Sequence, residues 1–318
     1  MRDVLRIAAR GSRLAVIQAE WVAGRLRAAH AGLGVRIETF RTAGDRDRAT
    51  PLARLAGVGF FVKELEAALL DGRIDLAVHS MKDVPTRAPD GLEVEAAVPE
   101  REDARECLVT PAGLALADLP PGAKVGSSSP RRRAMLLAAR PDLAFIDLRG
   151  NVETRLAKLE RGVCQATVLA AAGLARLGML DRRMVPMETA VVLPAAGQGA
   201  LGLEFRSDDG HVREAIAPLD HPPTRRAIVA ERALVRRLGA GCRTPLGVLA
   251  RVAGDGMLTL EACLLSPDGR QTIRRRIRGH APEAARLGTA LAEDLLAQGA
   301  GRLLAPEPDG HDSETHDS

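Results

Sequence analysis

Short apolar runs and helically spaced apolar positions alternate along the first part of the chain. An apolar run leads through Arg10, Gly11 and Ser12 into residues whose hydrophobic positions recur every three or four, which predicts a strand and then a helix with Ser12 as its N-cap. The elements predicted for this segment are strands at 4–9, 35–42 and 74–78 and a helix at 60–70. Because strands joined through helices run parallel, the pattern indicates an α/β lobe.

The same pattern restarts after a polar joint at 98–103 and predicts a second α/β lobe, with strands at 124–126, 145–148 and 166–170 that each precede a helix. Another strand is predicted at 198–205, and the joint His221-Pro222-Pro223 precedes a smaller α+β unit. The elements predicted for that unit are helices at 224–238 and 282–298 and strands at 248–252, 258–265 and 272–277. Residues 309–318 have no apolar side chain and are expected to form a disordered tail.

Composition places the chain among soluble globular proteins of two or three domains, since 46% of its 318 residues are hydrophobic and 27% are charged. No apolar run approaches the roughly 18 residues of a membrane span, and the first residues do not resemble a secretory signal. A cytoplasmic protein without a membrane partner is therefore expected. The four cysteines lie far apart, so neither disulfides nor a metal site is expected.

The basic residues are unusual because 41 are Arg and 4 are Lys, although the net charge is only +4. The planar guanidinium fork binds carboxylate or phosphate groups through two hydrogen bonds, so clustered Arg residues favour an anionic substrate. Nucleic acid is not the expected partner, because aromatic residues for base stacking make up only 2% of the chain.

Arginine and hydroxyl side chains recur just after predicted strands, at the start of the next helix. The residues placed in this way are Arg10, Ser12, Ser127, Ser128, Ser129, Arg131, Arg132, Arg149 and Arg155. In open parallel sheets this edge forms the ligand crevice, and helix N-termini attract anions. The recurrence in both lobes predicts an anion-binding cleft, while solvated helix faces remain the alternative for any single arginine.

Asp83 lies in the turn after the strand predicted at 74–78, next to Lys82. A carboxylate among many cations is suited to stabilising a cationic intermediate or to moving a proton. The alternative is an Asp that caps a turn before Pro85.

Cys242 follows a predicted helix end and lies in a glycine-rich loop before Arg243. Such a loop exposes the sulfur to a bulky group, and the neighbouring cation favours the thiolate. A buried small apolar residue is the alternative, and it describes Cys107, Cys164 and Cys263 better.

The stretch Gly197-Gln-Gly199-Ala-Leu-Gly202 matches the glycine spacing of a dinucleotide-binding motif. That motif needs a helix to open at its glycines, whereas this stretch continues as a strand. The glycines are therefore interpreted as a backbone crossing between the lobes.

The chain resembles the porphobilinogen deaminase family over about residues 4–304. The resemblance is carried, in order, by RIAARGSRLAVIQAEWV, FFVKELEAALLDGRIDLAVHSMKDVPT, VGSSSPRRRAM, DLRGNVETRLAKLERG, LAAAGLARLGM, LPAAGQGALGLEFR and GAGCRTPLG. It implies two lobes similar to type II periplasmic binding proteins and a smaller α+β C-terminal domain. The implied domains are 1–99 with 198–217, then 104–194, then 222–308.

The resemblance also implies an activity and a cofactor. A monomeric transferase would condense four molecules of porphobilinogen into hydroxymethylbilane and release ammonia at each addition. Its dipyrromethane cofactor would be bound through a thioether to Cys242 and held by Lys82, Ser129, Arg131 and Arg132. Asp83 would stabilise the cationic azafulvene intermediate, and the residues implied to bind the substrate carboxylates are Arg10, Ser12, Arg149, Arg155 and Arg176.

The sequence departs from the family pattern at Val58, where the expected lid at 42–59 usually carries Lys, and at Pro130, which replaces a usual Leu. The main alternative function is a non-catalytic, two-lobed anion-binding protein, which would carry no covalent dipyrrole. A second alternative, an NAD-linked oxidoreductase, rests on the glycines at 197–202 and would bind a nicotinamide cofactor.

Overall fold

The structure is a computed structural model that describes residues 4–40, 62–241 and 243–304. The expected lid at 42–59 with Val58, the expected cofactor residue Cys242 and the expected tail at 309–318 lie outside the described residues.

The described strands and helices follow the order expected for two α/β lobes and a third α+β unit. The strands are β1 (Val4–Arg10), β2 (Gly34–Phe40), β3 (Leu76–Ser80), β4 (Leu92–Glu93), β5 (Glu106–Val109), β6 (Lys124–Gly126), β7 (Ala144–Ile146), β8 (Ala166–Ala170), β9 (Met184–Pro186), β10 (Leu201–Arg206), β11 (Leu246–Val252), β12 (Met257–Leu265) and β13 (Thr272–His280). The helices are α1 (Arg13–Ala29), α2 (Lys63–Leu70), α3 (Pro130–Ala139), α4 (Val152–Glu160), α5 (Ala171–Arg176), α6 (Gly210–Ile216), α7 (Pro222–Leu238), α8 (Ala284–Ala297) and α9 (Ala300–Leu304).

The first lobe is built on a five-stranded sheet of order β2-β1-β3-β10-β4. Strands β1, β2 and β3 are parallel, whereas β10 runs antiparallel to β3 and β4. Alternate residues of β1 face opposite sides, so Leu5, Ile7 and Ala9 pack in the core beside α1 and Ala8 packs beside α2. Helices therefore cover both faces, and the carboxyl ends of β1 and β3 meet at one edge.

The second lobe repeats this arrangement with the order β7-β6-β8-β5-β9. Strands β6, β7 and β8 are parallel, and β5 runs antiparallel to β8 and β9. Helices α3 and α4 start just after β6 and β7, where the side chains of Ser129 and Asn151 accept hydrogen bonds from the backbone amides of Arg132 and Thr154. These two α/β lobes and the third unit establish the expected fold class.

The third unit is an antiparallel sheet of order β11-β12-β13 that packs on α7 and α8. Part of the opposite face of this sheet is also buried, because Leu249, Cys263 and Leu265 belong to the same hydrophobic cluster as Met135 of α3. The third unit is thus joined to the second lobe through a continuous core. Among the described residues, none of the helices has the length and apolar character that a membrane crossing requires.

Two strands begin later than the sequence pattern predicts, β3 at Leu76 rather than 74 and β10 at Leu201 rather than 198. Ile74 instead donates its amide hydrogen bond to Ala68 O at the end of α2. Gly197 and Gly199 have φ values of 76° and 89°, so the strand starts only after this left-handed stretch. The sequence pattern also misses β4, β5, β9, α6 and α9, which are short and carry weak periodicity.

Candidate functional site

A cavity of about 70 Å³ opens at the carboxyl ends of β1 and β3 in the first lobe. Arg10 is the last residue of β1, and Ser12 caps α1 by accepting a 3.3 Å hydrogen bond from Ala15 N. On the same cavity wall, the side chains of Gln18 and Ser80 are within 3.1 Å of each other. Asp83 completes this wall, so the structure brings together three residues that the sequence predicts for the site.

The turn that carries Lys82 and Asp83 is a 3-10 helix, Met81–Asp83, immediately after β3. Its first amide, Met81 N, donates a 3.0 Å hydrogen bond to Ala200 O. A Cβ added to Gly197 would lie 2.8 Å from Met81 Cγ and 3.0 Å from Lys82 N, so only glycine allows this close approach. The glycine stretch at 197–202 therefore supports the turn, and β10 rather than a helix follows it.

Lys82 lies between the two lobes. Its Nζ donates a 3.2 Å hydrogen bond to Gln198 Oε1, and Gln198 Nε2 donates in turn to Ala104 O at 2.7 Å. The pKa of the Lys82 ammonium is lowered to about 8, chiefly by burial; the charges of Arg132 and Arg131 act in the same direction, and those of Asp83 and Glu106 oppose them. Asp83 itself is exposed beside this group.

Arg131 and Arg132 occupy the first turn of α3 in the second lobe, and both are nearly buried. Both bind Glu106, the fully buried first residue of β5, with Arg132 NH2 donating to Glu106 Oε2 at 2.7 Å. Burial alone would raise the pKa of Glu106, but the two guanidinium groups and Lys82 hold it well below its usual range. The carboxylate therefore stays charged.

Arg149 and Arg155 extend this positive surface beyond β7. Arg155 Nε donates a 2.8 Å hydrogen bond to Gly150 O at the start of α4. Burial, together with the charges of Arg132 and Arg149, lowers the pKa of Arg155 to about 10. A guanidinium whose pKa falls because other guanidinium groups are near is stabilised by a bound anion.

Arg176 lies at the end of α5, next to the segment that crosses between the lobes. Its NH2 donates a 2.7 Å hydrogen bond to Gly199 O, and burial lowers the pKa of its guanidinium. The structure thus places Arg176 against the same glycine stretch that supports the turn of Lys82.

Cys242 is outside the described residues, but the backbone on either side of it is described. Gly241 N donates a 3.1 Å hydrogen bond to Thr244 Oγ1, and Thr244 N donates a 3.0 Å bond to Gly241 O. These bonds join Gly241 to Thr244. The other three cysteines are buried, as expected for small apolar core residues.

Two features of the place where the lobes meet make it suitable for an anionic ligand. Lys82, Arg131 and Arg132 carry three positive charges, and the neighbouring Glu106 and Asp83 carry two negative ones. Ser128 lies at the N-terminus of α3, and its Oγ is buried with no hydrogen-bond partner among the described residues. A carboxylate that entered here would balance charge and accept a hydrogen bond from this hydroxyl group.

Sequence reasoning misses Glu106, Gln18 and Gln198. Glu106 is a single acid at the start of the apolar run Cys107-Leu-Val109, and an acid inside a buried run is a signal of ion pairing. Gln198 lies within the glycine stretch, whose pattern draws attention only to its glycines.

Two family models match the chain. Residues 5–214 match the model described as porphobilinogen deaminase, dipyromethane cofactor binding domain, and residues 226–297 match the model described as porphobilinogen deaminase, C-terminal domain. A curated relative, the porphobilinogen deaminase of Syntrophotalea carbinolica, is 50% identical over 303 residues, which cover 95% of this chain and 96% of the relative.

Solved two-lobed structures also superpose on part of the chain. The VFT2 domain of Bordetella pertussis BvgS aligns with a TM-score of 0.40 and 16% identity, over 68% of this chain and 85% of that one. An arginine-specific periplasmic binding protein of Salmonella typhimurium aligns with a TM-score of 0.37 and 15% identity, over 68% and 91% of the two chains. Because these scores and identities are low, we draw nothing further from them.

Proposed function

The chain belongs to the porphobilinogen deaminase family, and from that premise we propose which of its residues carry each part of the reaction. It is a transferase of tetrapyrrole biosynthesis that condenses four porphobilinogen molecules into hydroxymethylbilane with release of ammonia, and it uses a dipyrromethane cofactor. The alternative of a non-catalytic anion-binding protein is not favoured, because the 50% identical relative that matches nearly the whole chain is this enzyme.

The residues of the cleft fit the dipyrromethane group. Each pyrrole ring of the cofactor bears an acetate and a propionate, so the group brings four carboxylates. The observation that carries the proposal is the excess positive charge of Lys82, Arg131 and Arg132 over Glu106 and Asp83, together with the Oγ of Ser128, which is buried and has no hydrogen-bond partner in the described part of the chain. We propose that these three cations and Ser129 at the start of α3 hold the cofactor, and that Cys242 binds it through a thioether.

When bound, the cofactor supplies a tethered terminal pyrrole whose carbon attacks the incoming substrate. The chain's residues orient this substrate through its acetate and propionate groups. The residues that we assign to this binding are Arg10, Ser12, Arg149, Arg155 and Arg176. The guanidinium forks of the four arginines receive the carboxylates through paired hydrogen bonds, and the hydroxyl group of Ser12 can donate one more, so the growing chain remains neutralised in the cleft.

Asp83 is assigned to the chemical step. Departure of ammonia leaves a positive charge on the substrate, and a carboxylate beside that charge lowers the barrier. The fixed turn Met81–Asp83 holds the carboxylate at the cavity, and Lys82 on the same turn keeps a cation next to it. Asp83 is also placed to hand a proton to the leaving amine and to take one from the attacking pyrrole.

We also propose the wider setting of the enzyme. It divides into domains 1–99 with 198–217, 104–194 and 222–308, as the course of β10 back into the first sheet supports. It works as a cytoplasmic monomer that needs neither nucleic acid nor a metal ion.

The test of the covalent attachment is Cys242→Ser. Intact mass of the full chain should show a dipyrrole adduct on the unmutated chain and only the polypeptide mass on the variant, which should also give no colour with Ehrlich's reagent. Cys263→Ala, which changes a buried cysteine of the same unit, is the control and should keep the adduct. A normal adduct on Cys242→Ser would refute the assignment of this thiol.

A further inference from the structure

We propose that Glu106 is a positioning residue for the cofactor, whose single carboxylate holds the guanidinium groups of Arg131 and Arg132 in the orientation that receives a cofactor carboxylate. This inference rests on the proposed role of the two arginines. It assigns a role to a residue that touches neither cofactor nor substrate in the proposed function.

Glu106 is placed where its charge has to be matched by the protein. It begins β5, which lies between β8 and β9 in the second sheet, and its exposed fraction is 0%. An ionised carboxylate at such a position is strongly unfavourable without charged partners. Arg131 and Arg132, exposed by only 6% and 7%, provide these partners.

The hydrogen bonds fix both guanidinium groups in place. Glu106 Oε1 accepts from Arg131 NH2 and from Arg132 Nε, and Glu106 Oε2 accepts from Arg132 NH2 at 2.7 Å. The opposite corners are held by backbone carbonyls, with Arg131 NH1 donating to Leu193 O and Arg132 NH1 donating to Val168 O. Each fork is therefore bound on two sides and cannot rotate, while five of the ten N–H groups have no partner among residues 4–40, 62–241 and 243–304.

The charge of this cluster distinguishes it from a structural ion-pair network. Two arginines share one carboxylate, so the group of three carries a net charge of +1, and the neighbouring Lys82 adds to it. A second shared carboxylate, Asp75 in the first lobe, binds Arg6 and Arg206, but Arg206 also pairs with Asp209. These two arginines are thus balanced by two acids, whereas the cluster of Glu106 needs an anion from elsewhere.

The two clusters also differ in position. Asp75 precedes β3 at its amino end, so it lies at the sheet edge opposite Ser80 and Asp83. It is 1% exposed, nearly as buried as Glu106. Asp75→Asn is therefore a matched control that removes a buried carboxylate shared by two arginines away from the cleft.

The experiment measures how fast the full chain acquires its cofactor. The chain is produced in cells that make no porphobilinogen, porphobilinogen is then added, and the covalent adduct is followed by intact mass. We expect Glu106→Gln to load at least tenfold more slowly, because its amide group presents N–H donors to guanidinium donors. Glu106→Asp, which keeps the charge, should load within threefold of the unmutated chain, and Asp75→Asn within twofold.

Urea unfolding of each variant separates positioning from stability. If Asp75→Asn loads as slowly as Glu106→Gln at a similar loss of stability, the role of Glu106 is merely structural and the proposal fails. Loading of Glu106→Gln at the unmutated rate also overturns it. If Glu106→Gln does not fold, Glu106→Ala takes its place and is measured with and without added formate, which supplies a free carboxylate. Slow loading that formate restores supports the proposal. Loading that is normal without formate, or slow and unaffected by it, overturns the proposal.

Arg132→Lys, which keeps the charge but loses the fork, separates this inference from the proposed function. If it loads normally, Arg132 does not hold the cofactor and the proposed function of the arginines fails. If it loads slowly while Glu106→Gln loads normally, the arginine role stands and only the role of Glu106 fails.

Discussion

Asp83 lies on the cavity wall with Arg10 and Ser12, on a turn whose backbone is fixed by Ala200 and by the close approach of Gly197. Asp83 is exposed on the wall of this cavity. A fixed carboxylate at this place acts on the charge that develops in the substrate.

Asp83→Asn removes this charge with little change of shape. We expect turnover to fall about 100-fold or more, as removal of one preorganised electrostatic group does in other enzymes, while the dipyrrole adduct is retained. Steady-state turnover and intact mass together check this. Asp90→Asn, at an exposed position of the same lobe, should behave as the unmutated enzyme. Turnover of Asp83→Asn within a few fold of normal would remove Asp83 from the chemical step.

Lys82 should make cofactor loading depend on pH. Burial lowers its pKa to about 8, so its ammonium is charged below pH 8 and binds a carboxylate, and it loses this charge as the pH rises through 8. We expect the loading rate of the bare chain to decline from pH 7 to 9.5. Lys82→Met should load about tenfold more slowly at pH 7, the effect of one charge-assisted hydrogen bond, and show no decline near pH 8. An identical decline in Lys82→Met would assign the titration to another group.

The site residues that can be predicted from the sequence are those next to a predicted strand end or helix start. Arg10, Ser129 and Asp83 follow strands and begin turns or helices, so their position at the sheet edge is readable from the pattern. Glu106 and Arg131 are 25 positions apart in the sequence, and Lys82 and Gln198 are 116 apart, so no local pattern contains either pair. Such partners depend on how the sheets are ordered.

At the scale of the element, helix α2 carries a buried carboxyl group that lowers the stability of the folded state, and the sequence pattern does not show it. Glu66 lies on the buried face of this helix, 8% exposed, near the buried pair of His79 Nε2 and Glu204 Oε2 at 3.0 Å. Burial and the charge of Glu204 raise the pKa of Glu66 to about 6, while His79 and Lys63 act in the opposite direction. The folded state thus binds a proton more tightly than the unfolded chain.

This raised pKa predicts the direction of a stability change. Between pH 4.5 and 6 the folded state holds more protons than the unfolded state, so the free energy of unfolding decreases as the pH rises. Above pH 6 this loss of stability has reached its full size. Glu66→Gln removes the charge, and we expect about 1 kcal/mol of added stability at pH 7.5, after allowance for solvent screening, and little at pH 4.5.

Urea unfolding at the two pH values checks this expectation. Glu20→Gln, an exposed change on α1, should alter stability at neither pH. A gain for Glu66→Gln that is as large at pH 4.5 as at pH 7.5 would show that its origin is not the titration of this carboxyl group.

The long elements are predictable because their apolar residues recur with a clear period. Helix α7 and strands β12 and β13 lie close to their predicted ranges, and α1 begins at its predicted cap, Ser12. Strand β4 has only two residues and β5 four, which is too short to establish a period, and their places are fixed by pairing with β10 and β8. The antiparallel course of β10 in the first sheet likewise depends on tertiary pairing.

At the scale of the whole molecule, the two segments that cross between the lobes meet the third unit at one buried carboxylate. Glu231 of α7 is 0% exposed, and its Oε1 accepts from Arg101 NH1 at 2.6 Å and from Ala250 N at 2.8 Å. Its Oε2 accepts from Gly197 N at 2.7 Å. Arg101 belongs to the first crossing and Gly197 to the second, so this one side chain ties both crossings to β11.

Glu231→Gln should therefore destabilise the chain far more than loss of a surface ion pair. The amide N–H groups would face the N–H donors of Arg101 and Gly197, and the guanidinium, 11% exposed, would lose its charged partner. Breaking such a buried pair costs about 3 kcal/mol or more, which should lower the melting temperature by several degrees.

Glu293→Gln is the matched control, since its pair with Arg237 joins α7 to α8 with both side chains about half exposed, at 46% and 52%. That change should cost about 0.5 kcal/mol or less. Differential scanning calorimetry of the two cofactor-loaded variants compares their melting temperatures. Equal shifts in melting temperature would mean that Glu231 does not tie the crossings together. The continuous core between β12 and α3 would then be what holds the third unit in place.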